Sequence, residues 1–262
     1  MSACACAASD GPAPHEASGL ALCSSGSGTD LLCLPPGPGL GHQLARALHG
    51  VLAGVGRVTL PDYPGHGTPA PARDLADVRE RVARLVTSAT VLVGHSWGAE
   101  VAASVAAVVP CAALVLLAPP PPVEHATAWT PGGHALLAAV RAERTGTPYE
   151  RYLRAFAIPA GLGGDRARAD ALLDGVPVYD DAWRALRGQS DPRPLADRVA
   201  AARALGTAVR VVAGADDPLC PEPLLDALAA AGAEVVPAPG GHYGFVDAPA
   251  AVRSAVGAMV AA

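Results

Sequence analysis

The chain has 262 residues, 51% of them hydrophobic and 16% charged, with a formal net charge of -5, a length that suits one sizeable α/β domain carrying an inserted cap. It contains neither lysine nor asparagine, so all 19 basic residues are arginine, which excludes a Schiff-base lysine, a Ser-Lys dyad, a P-loop lysine and N-glycosylation. The negative balance argues against a nucleic-acid duplex or an anionic membrane as partner, since both select a positive surface.

Residues 1–18 are rich in Ala, Ser, Pro and Gly and read as a flexible tail. No arginine precedes Arg46, so a secretory n-region is missing, and no apolar run approaches the length of a membrane span. A cytoplasmic location is expected. The six cysteines, Cys4, Cys6, Cys23, Cys33, Cys111 and Cys220, have no zinc-like spacing and read as isolated thiols.

Gly19 to Ser24 reads as an early edge strand and Asp30 to Leu34 as the first core strand, which runs into Pro35-Pro36-Gly37-Pro38-Gly39. Three prolines there forbid continued strand pairing. Helix is expected from about Gly41 to Leu52, strand from Arg57 to Leu60, a rigid loop over Pro61 to Gly67, and helix again from Asp74 to about Thr87. Val91 to Gly94 is a short β-branched run suited to the middle of a parallel sheet, and the Ala-rich run after Gly98 suits a helix packed closely against it. The sheet resumes at Ala112 to Leu117. After Pro119-Pro120-Pro121-Pro122 the strand–helix rhythm stops, and residues 123–206 offer only helical patterns and Gly/Pro breaks, with Trp129, Tyr149, Tyr152, Phe156, Tyr179 and Trp183 gathered there. That segment is expected to be a helical lid. Strands at Val209 to Ala213 and Glu234 to Val236, with helices at Pro221 to Ala231 and Ala248 to Met259, bring the chain back to the sheet. The expectation is an α/β fold with a mostly parallel, doubly wound sheet, its core formed by residues 19–122 and 207–262 and interrupted by the lid at 123–206.

Gly94-His95-Ser96-Trp97-Gly98 fits the G-x-S-x-G nucleophile elbow, in which small residues on both sides let the backbone close tightly while the serine takes a strained φ/ψ. A serine nucleophile needs a base, and the base needs an acid that fixes its tautomer. Both are present in the chain order expected for one elbow serving an open α/β sheet. Asp216 and Asp217 follow the strand at 209–213, and His242 sits in Pro239-Gly240-Gly241-His242-Tyr243 after the last strand. Asp217 is preferred, because the proline after it holds it extended at the loop edge; Asp216 stays open as the alternative acid, its other role being to cap the turn. For the oxyanion, Trp97 N–H at the helix start supplies one donor; within Pro35 to Gly39 only Gly37 and Gly39 have an N–H, and Gly37 is favoured. No residue cluster has metal-ligand spacing and no cofactor is expected. His95, His66 and His42 read as packing or loop-bonding residues, Glu100 as a partner of the positive end of a helix, and Arg79, Arg81 and Arg84 with Glu80 as a solvated helix face.

With these motifs the chain resembles the α/β-hydrolase superfamily over about residues 19–261. The elbow at Gly94 to Gly98 matches, Asp62-Tyr63-Pro64-Gly65-His66-Gly67 resembles the family's D-x-P-G-x-G loop, and Gly214-Ala215-Asp216-Asp217 resembles its acid turn, which also favours Asp217. Pro36-Gly37-Pro38-Gly39-Leu40 is similar to the H-G-G-P-G loop of proline iminopeptidase-like members, with prolines where the usual His-Gly stands. The Pro-rich entry is also similar to that of type II thioesterases of polyketide and peptide assembly lines, whose elbow often reads G-H-S-M-G. The resemblance implies a cofactor-independent serine hydrolase that cleaves a small ester or thioester, carrier-bound if it serves bacterial secondary metabolism. Two alternatives stay open. One is a proline iminopeptidase-like aminopeptidase, with Glu124, Glu143 and Glu150 available to hold a free amine. The other is a non-hydrolytic acyltransferase, cyclase or ligand-binding relative.

Overall fold

The computed structural model describes residues 15–120, apart from 69 and 72, and residues 166–261. Among these, eight strands form one sheet: β1 (His15–Ala17), β2 (Leu20–Ser25), β3 (Asp30–Leu34), β4 (Arg57–Asp62), β5 (Val91–His95), β6 (Ala113–Leu117), β7 (Ala208–Gly214) and β8 (Glu234–Ala238). Their order across the sheet is β1-β2-β4-β3-β5-β6-β7-β8. β1 and β2 are antiparallel to their neighbours and every later pair is parallel.

Sequence alternation explains why both faces are covered. In β3, Leu32 and Leu34 join one apolar cluster and Leu31 and Cys33 the other, as a period of two requires. The first cluster packs α2 (Leu75–Ala83), α3 (Trp97–Ala106) and a later helix, Leu195–Ala204, against the sheet; the second packs α1 (Arg46–Leu52) and the C-terminal helix Pro249–Val260 on the opposite face. The result is the doubly wound arrangement expected. Asp74 caps α2, its Oδ1 accepting the Asp77 N–H at 2.8 Å.

Beyond β6 the described chain continues with α4 (Arg166–Leu173), α5 (Asp180–Leu186) and α6 (Leu195–Ala204), then α7 (Glu222–Ala230), the single-turn α8 (Gly244–Asp247) and α9 (Pro249–Val260). Four details differ from the sequence reading. The segment read as a flexible tail supplies a short edge strand at its end, where His15 pairs with Leu22 and Ala17 with Leu20. α6, placed by sequence inside the lid, packs Leu195, Val199 and Ala202 into the main core, so the core resumes before residue 207. The last strand continues through Pro237, because β8 is an edge strand and a proline there leaves no sheet partner unsatisfied. Cys33, Cys111 and Cys220 are free and buried, but Cys23 is disulfide-bonded and is not an isolated thiol; Cys4 and Cys6 lie outside the described residues.

From β3 the chain passes to β4 on one side and later to β5 on the other. The loops after β3 and β5 therefore diverge at a topological switch point, the place beyond the carboxyl ends of the strands where ligands bind on open sheets of this kind. No helix among the described residues is long and apolar enough to cross a membrane.

Candidate active site

Ser96 stands between β5 and α3 with φ 54° and ψ -122°, a left-handed conformation that costs a non-glycine residue of order 1–3 kcal/mol. Its main chain is held on both sides, the N–H donating to Leu117 O at 3.0 Å and the carbonyl accepting from Ala99 N–H at 2.8 Å. Its hydroxyl makes no capping bond to α3. The serine therefore does not serve α3 as a side-chain cap. Gly98 shows why the elbow needs its glycines: a Cβ there would lie 2.3 Å from Leu34 O and 2.6 Å from Pro35 O. The first turn of α3 thus touches the backbone of the loop after β3.

His242 and Asp217 meet after β8 and β7. His242 Nδ1 is 2.9 Å from Asp217 Oδ2, with both side chains almost wholly buried. Asp217 Oδ1 accepts the Leu219 N–H at 2.9 Å, so the carboxylate is oriented at both oxygens. Asp216 is exposed and donates its N–H to Gly240 O at 3.0 Å. Of the two aspartates, Asp217 is the one whose carboxylate lies against the His242 imidazole. Gly214 lets the two loops close, since a Cβ there would lie 2.2 Å from Gly241 O.

His95 links the two halves. Its Nε2 lies 2.8 Å from the main-chain oxygen of His242, 147 residues away, so the residue beside Ser96 donates to the residue that carries the imidazole. Burial lowers the His95 pKa to about 3, and the nearby His242 adds to the effect. The unfolded chain takes up a proton on this histidine near its ordinary value of 6.5, whereas the folded chain does so only near 3. Stability should therefore fall as the pH drops between those values, by about 1.4 kcal/mol per pH unit at most. Urea midpoints measured from pH 4.5 to 7.5 should show that slope, and His95→Gln, which keeps an N–H for His242 O, should flatten it.

The loop after β3 is fastened from several directions by the loop after β4. Tyr63 Oη donates to Pro35 O at 3.2 Å, Gly39 N–H donates to His66 Nε2 at 2.7 Å, and Asp62 accepts from both His42 N–H at 2.9 Å and His42 Nδ1 at 2.8 Å. Gly39 N–H is thus already engaged, and Gly37 carries the other N–H of Pro35–Gly39. An ideal Cβ on Gly37 would be 3.8 Å from Trp97 Cε3, so Gly37 lies against the indole of Trp97. Trp97 packs edge-on against Tyr63 at 5.2 Å between ring centroids.

The described segment that precedes β7, expected from the sequence to belong to a lid, also reaches this loop. Gly41 N–H donates to Pro177 O at 3.2 Å and Tyr179 N–H to Gly39 O at 2.9 Å, a two-residue antiparallel bridge of Leu40 with Val178. Arg168 on α4 pairs at 2.9 Å with Asp247, which also accepts the Gly241 N–H at 3.1 Å. Neither contact was legible in the sequence, because each joins residues far apart in the chain. Glu124, Glu143 and Glu150, the acids considered for amine recognition, lie outside the described residues. The buried thiol of Cys220 is pushed well above its ordinary value, by burial first and then by Asp217, so it stays protonated beside the site.

A family model described as the alpha/beta hydrolase family matches residues 31–255. Among solved structures, a haloalkane dehalogenase loop variant from Bradyrhizobium elkanii superposes with a TM-score of 0.68 at 16% identity, covering 95% of each chain. The thioesterase domain from the curacin biosynthetic pathway gives 0.59 at 22% identity, over 93% of this chain and 97% of that one. An esterase from Exiguobacterium antarcticum gives 0.66 at 16%, over 93% and 96%. At such identities the likeness is one of fold. No curated protein matches the chain.

Proposed function

Since the chain belongs to the alpha/beta hydrolase family, we propose that it is a cofactor-independent serine hydrolase that cleaves a small ester or thioester through an acyl-enzyme on Ser96. One observation carries this reading: the buried Asp217–His242 pair is tethered through His95 to the strand end that presents a strained, non-capping Ser96. The esterase and the thioesterase among the structural neighbours support an acyl substrate, and the dehalogenase marks how far chemistry diverges on this fold.

With Nδ1–H donated to Asp217, the neutral imidazole of His242 has its lone pair on Nε2, the tautomer a general base requires. His242 takes the Ser96 hydroxyl proton as Oγ attacks the carbonyl carbon, and the carbonyl π electrons move to oxygen. The N–H groups of Trp97 and Gly37 receive that oxyanion. On collapse the bond to the alcohol or thiol breaks and His242 returns the proton to the leaving group. Water, deprotonated by the same imidazole, then releases the acid and restores Ser96.

A fluorophosphonate probe tests the proposal directly. The expected result is one covalent adduct, mapped by peptide mass spectrometry to Ser96 and competed by a short acyl ester or acyl-thioester. An adduct elsewhere, or none on protein that turns over such substrates, overturns it.

A further inference from the structure

We propose that His66 is a positioning residue for this reaction: its neutral imidazole fixes Gly39 and, one proline away, the Gly37 N–H that receives the oxyanion. The proposal rests on the serine-hydrolase reading above and deepens it.

The hydrogen bonds determine the state of the ring. A backbone N–H only donates, so the 2.7 Å contact from Gly39 N makes His66 Nε2 an acceptor. A neutral imidazole with its lone pair on Nε2 carries its proton on Nδ1, and Nδ1 lies 3.0 Å from Pro64 O, which only accepts. Two main-chain groups thus select the same tautomer from opposite edges. The residue is fully buried, with Tyr63 and Tyr179 packed edge-on at 5.5 and 5.6 Å.

The surroundings favour neutrality as well. The groups that face the ring are the Tyr63 and Tyr179 rings, the carbonyl of Pro64, and Asp62, whose carboxylate is engaged by His42. Burial holds the His66 pKa below its ordinary value despite the opposing pull of Pro64, Asp62 and the Tyr63 backbone. A protonated ring would face the Gly39 N–H with a second donor, and the bond would be lost.

Gly39 is where displacement would do most harm. It adopts a left-handed φ of 88°, and its carbonyl accepts from the Tyr179 N–H. Between it and Gly37 stands only Pro38, whose ring transmits any rotation of Gly39 to the neighbouring peptide plane. Removing the acceptor leaves a buried N–H unsatisfied, and the loop relieves that by moving. A displacement of about 1 Å at a reacting group costs about a hundredfold in rate.

The test pairs two variants with a spectroscopic measurement on the wild type. His66→Phe keeps a flat ring without the acceptor and should lower kcat for a p-nitrophenyl ester by about 10- to 100-fold with KM within about threefold. His66→Gln supplies a side-chain oxygen for Gly39 and should recover about tenfold of that loss. Equal losses in both variants, or a kcat for His66→Phe within about twofold of wild type, overturn the positioning role. Nitrogen-15 NMR of the histidine rings should show His66 protonated on Nδ1 alone at neutral pH; an Nε2-protonated ring overturns the inference whatever the kinetics. Failure of the wild type both to label at Ser96 and to turn over esters defeats the hydrolase reading, and with it the catalytic part of this one.

Discussion

Asp217→Asn is expected to lower kcat by about ten-thousandfold, and Ser96→Ala by about a millionfold, while both proteins keep the wild-type fold. The serine variant removes the nucleophile outright. The aspartate variant acts through geometry that the structure makes explicit. Leu219 N–H donates to Asp217 Oδ1, so the amide oxygen of an asparagine would occupy that position and turn its NH2 toward His242 Nδ1. His242 would then have to accept at Nδ1 and carry its proton on Nε2, where it can no longer take one from Ser96. Asp216→Asn, at an exposed position, should leave kcat within about twofold. Steady-state hydrolysis of an activated ester, with far-UV circular dichroism as a control on folding, checks all three. Equal losses at 216 and 217 would contradict the assignment.

Arg198→Ala is expected to destabilise the protein by about 3–5 kcal/mol, the largest stability effect of any single side chain considered. Arg198 is 0% exposed on α6. Its guanidinium donates to Glu100 Oε2 at 2.6 Å, to Glu100 O at 3.0 Å and to Ser104 Oγ at 2.9 Å, all on α3. Truncation would leave the Glu100 carboxylate buried without its cation, and the desolvation cost of that charge, more than the lost contacts, sets the magnitude. A urea or thermal melt should report the loss as a fall in Tm of about 10 °C. The double variant Glu100→Leu with Arg198→Met should recover most of it, since an apolar pair of similar volume removes the stranded charge. An Arg198→Ala melt within about 1 kcal/mol of wild type would show that the pair contributes little.

The parts of this molecule that could be read from the sequence are those whose chemistry is local. The elbow announces itself because backbone crowding admits only glycine at 98, and the Gly214 turn and the Gly240-Gly241-His242 loop do so for a similar reason. Buried parallel strands show as short apolar runs whichever neighbours they choose. What escaped the reading depends on long-range pairing. Glu100 was read as a helix-end charge and Arg79 as part of a solvated face, yet Glu100 is buried against Arg198, and Arg79 lies 3.1 Å from the buried carboxylate of Asp191. On one helix pattern an arginine that faces solvent and one that faces a buried acid spell the same letter. The edge strand β1 was hidden by tail-like composition, because three residues paired in a sheet need no apolar run of their own.

The two anchors made by the segment that precedes β7, Val178 on Leu40 and Arg168 on Asp247, bear on how this scaffold could be re-engineered. A chimaera that imports a foreign lid by exchanging everything from 123 to 206 would discard both anchors together with the Arg198 bolt. Grafts with their junction placed before residue 166 would keep both anchors and the Arg198 contacts with α3, and with them the support of the loops that carry Leu40 and Gly241.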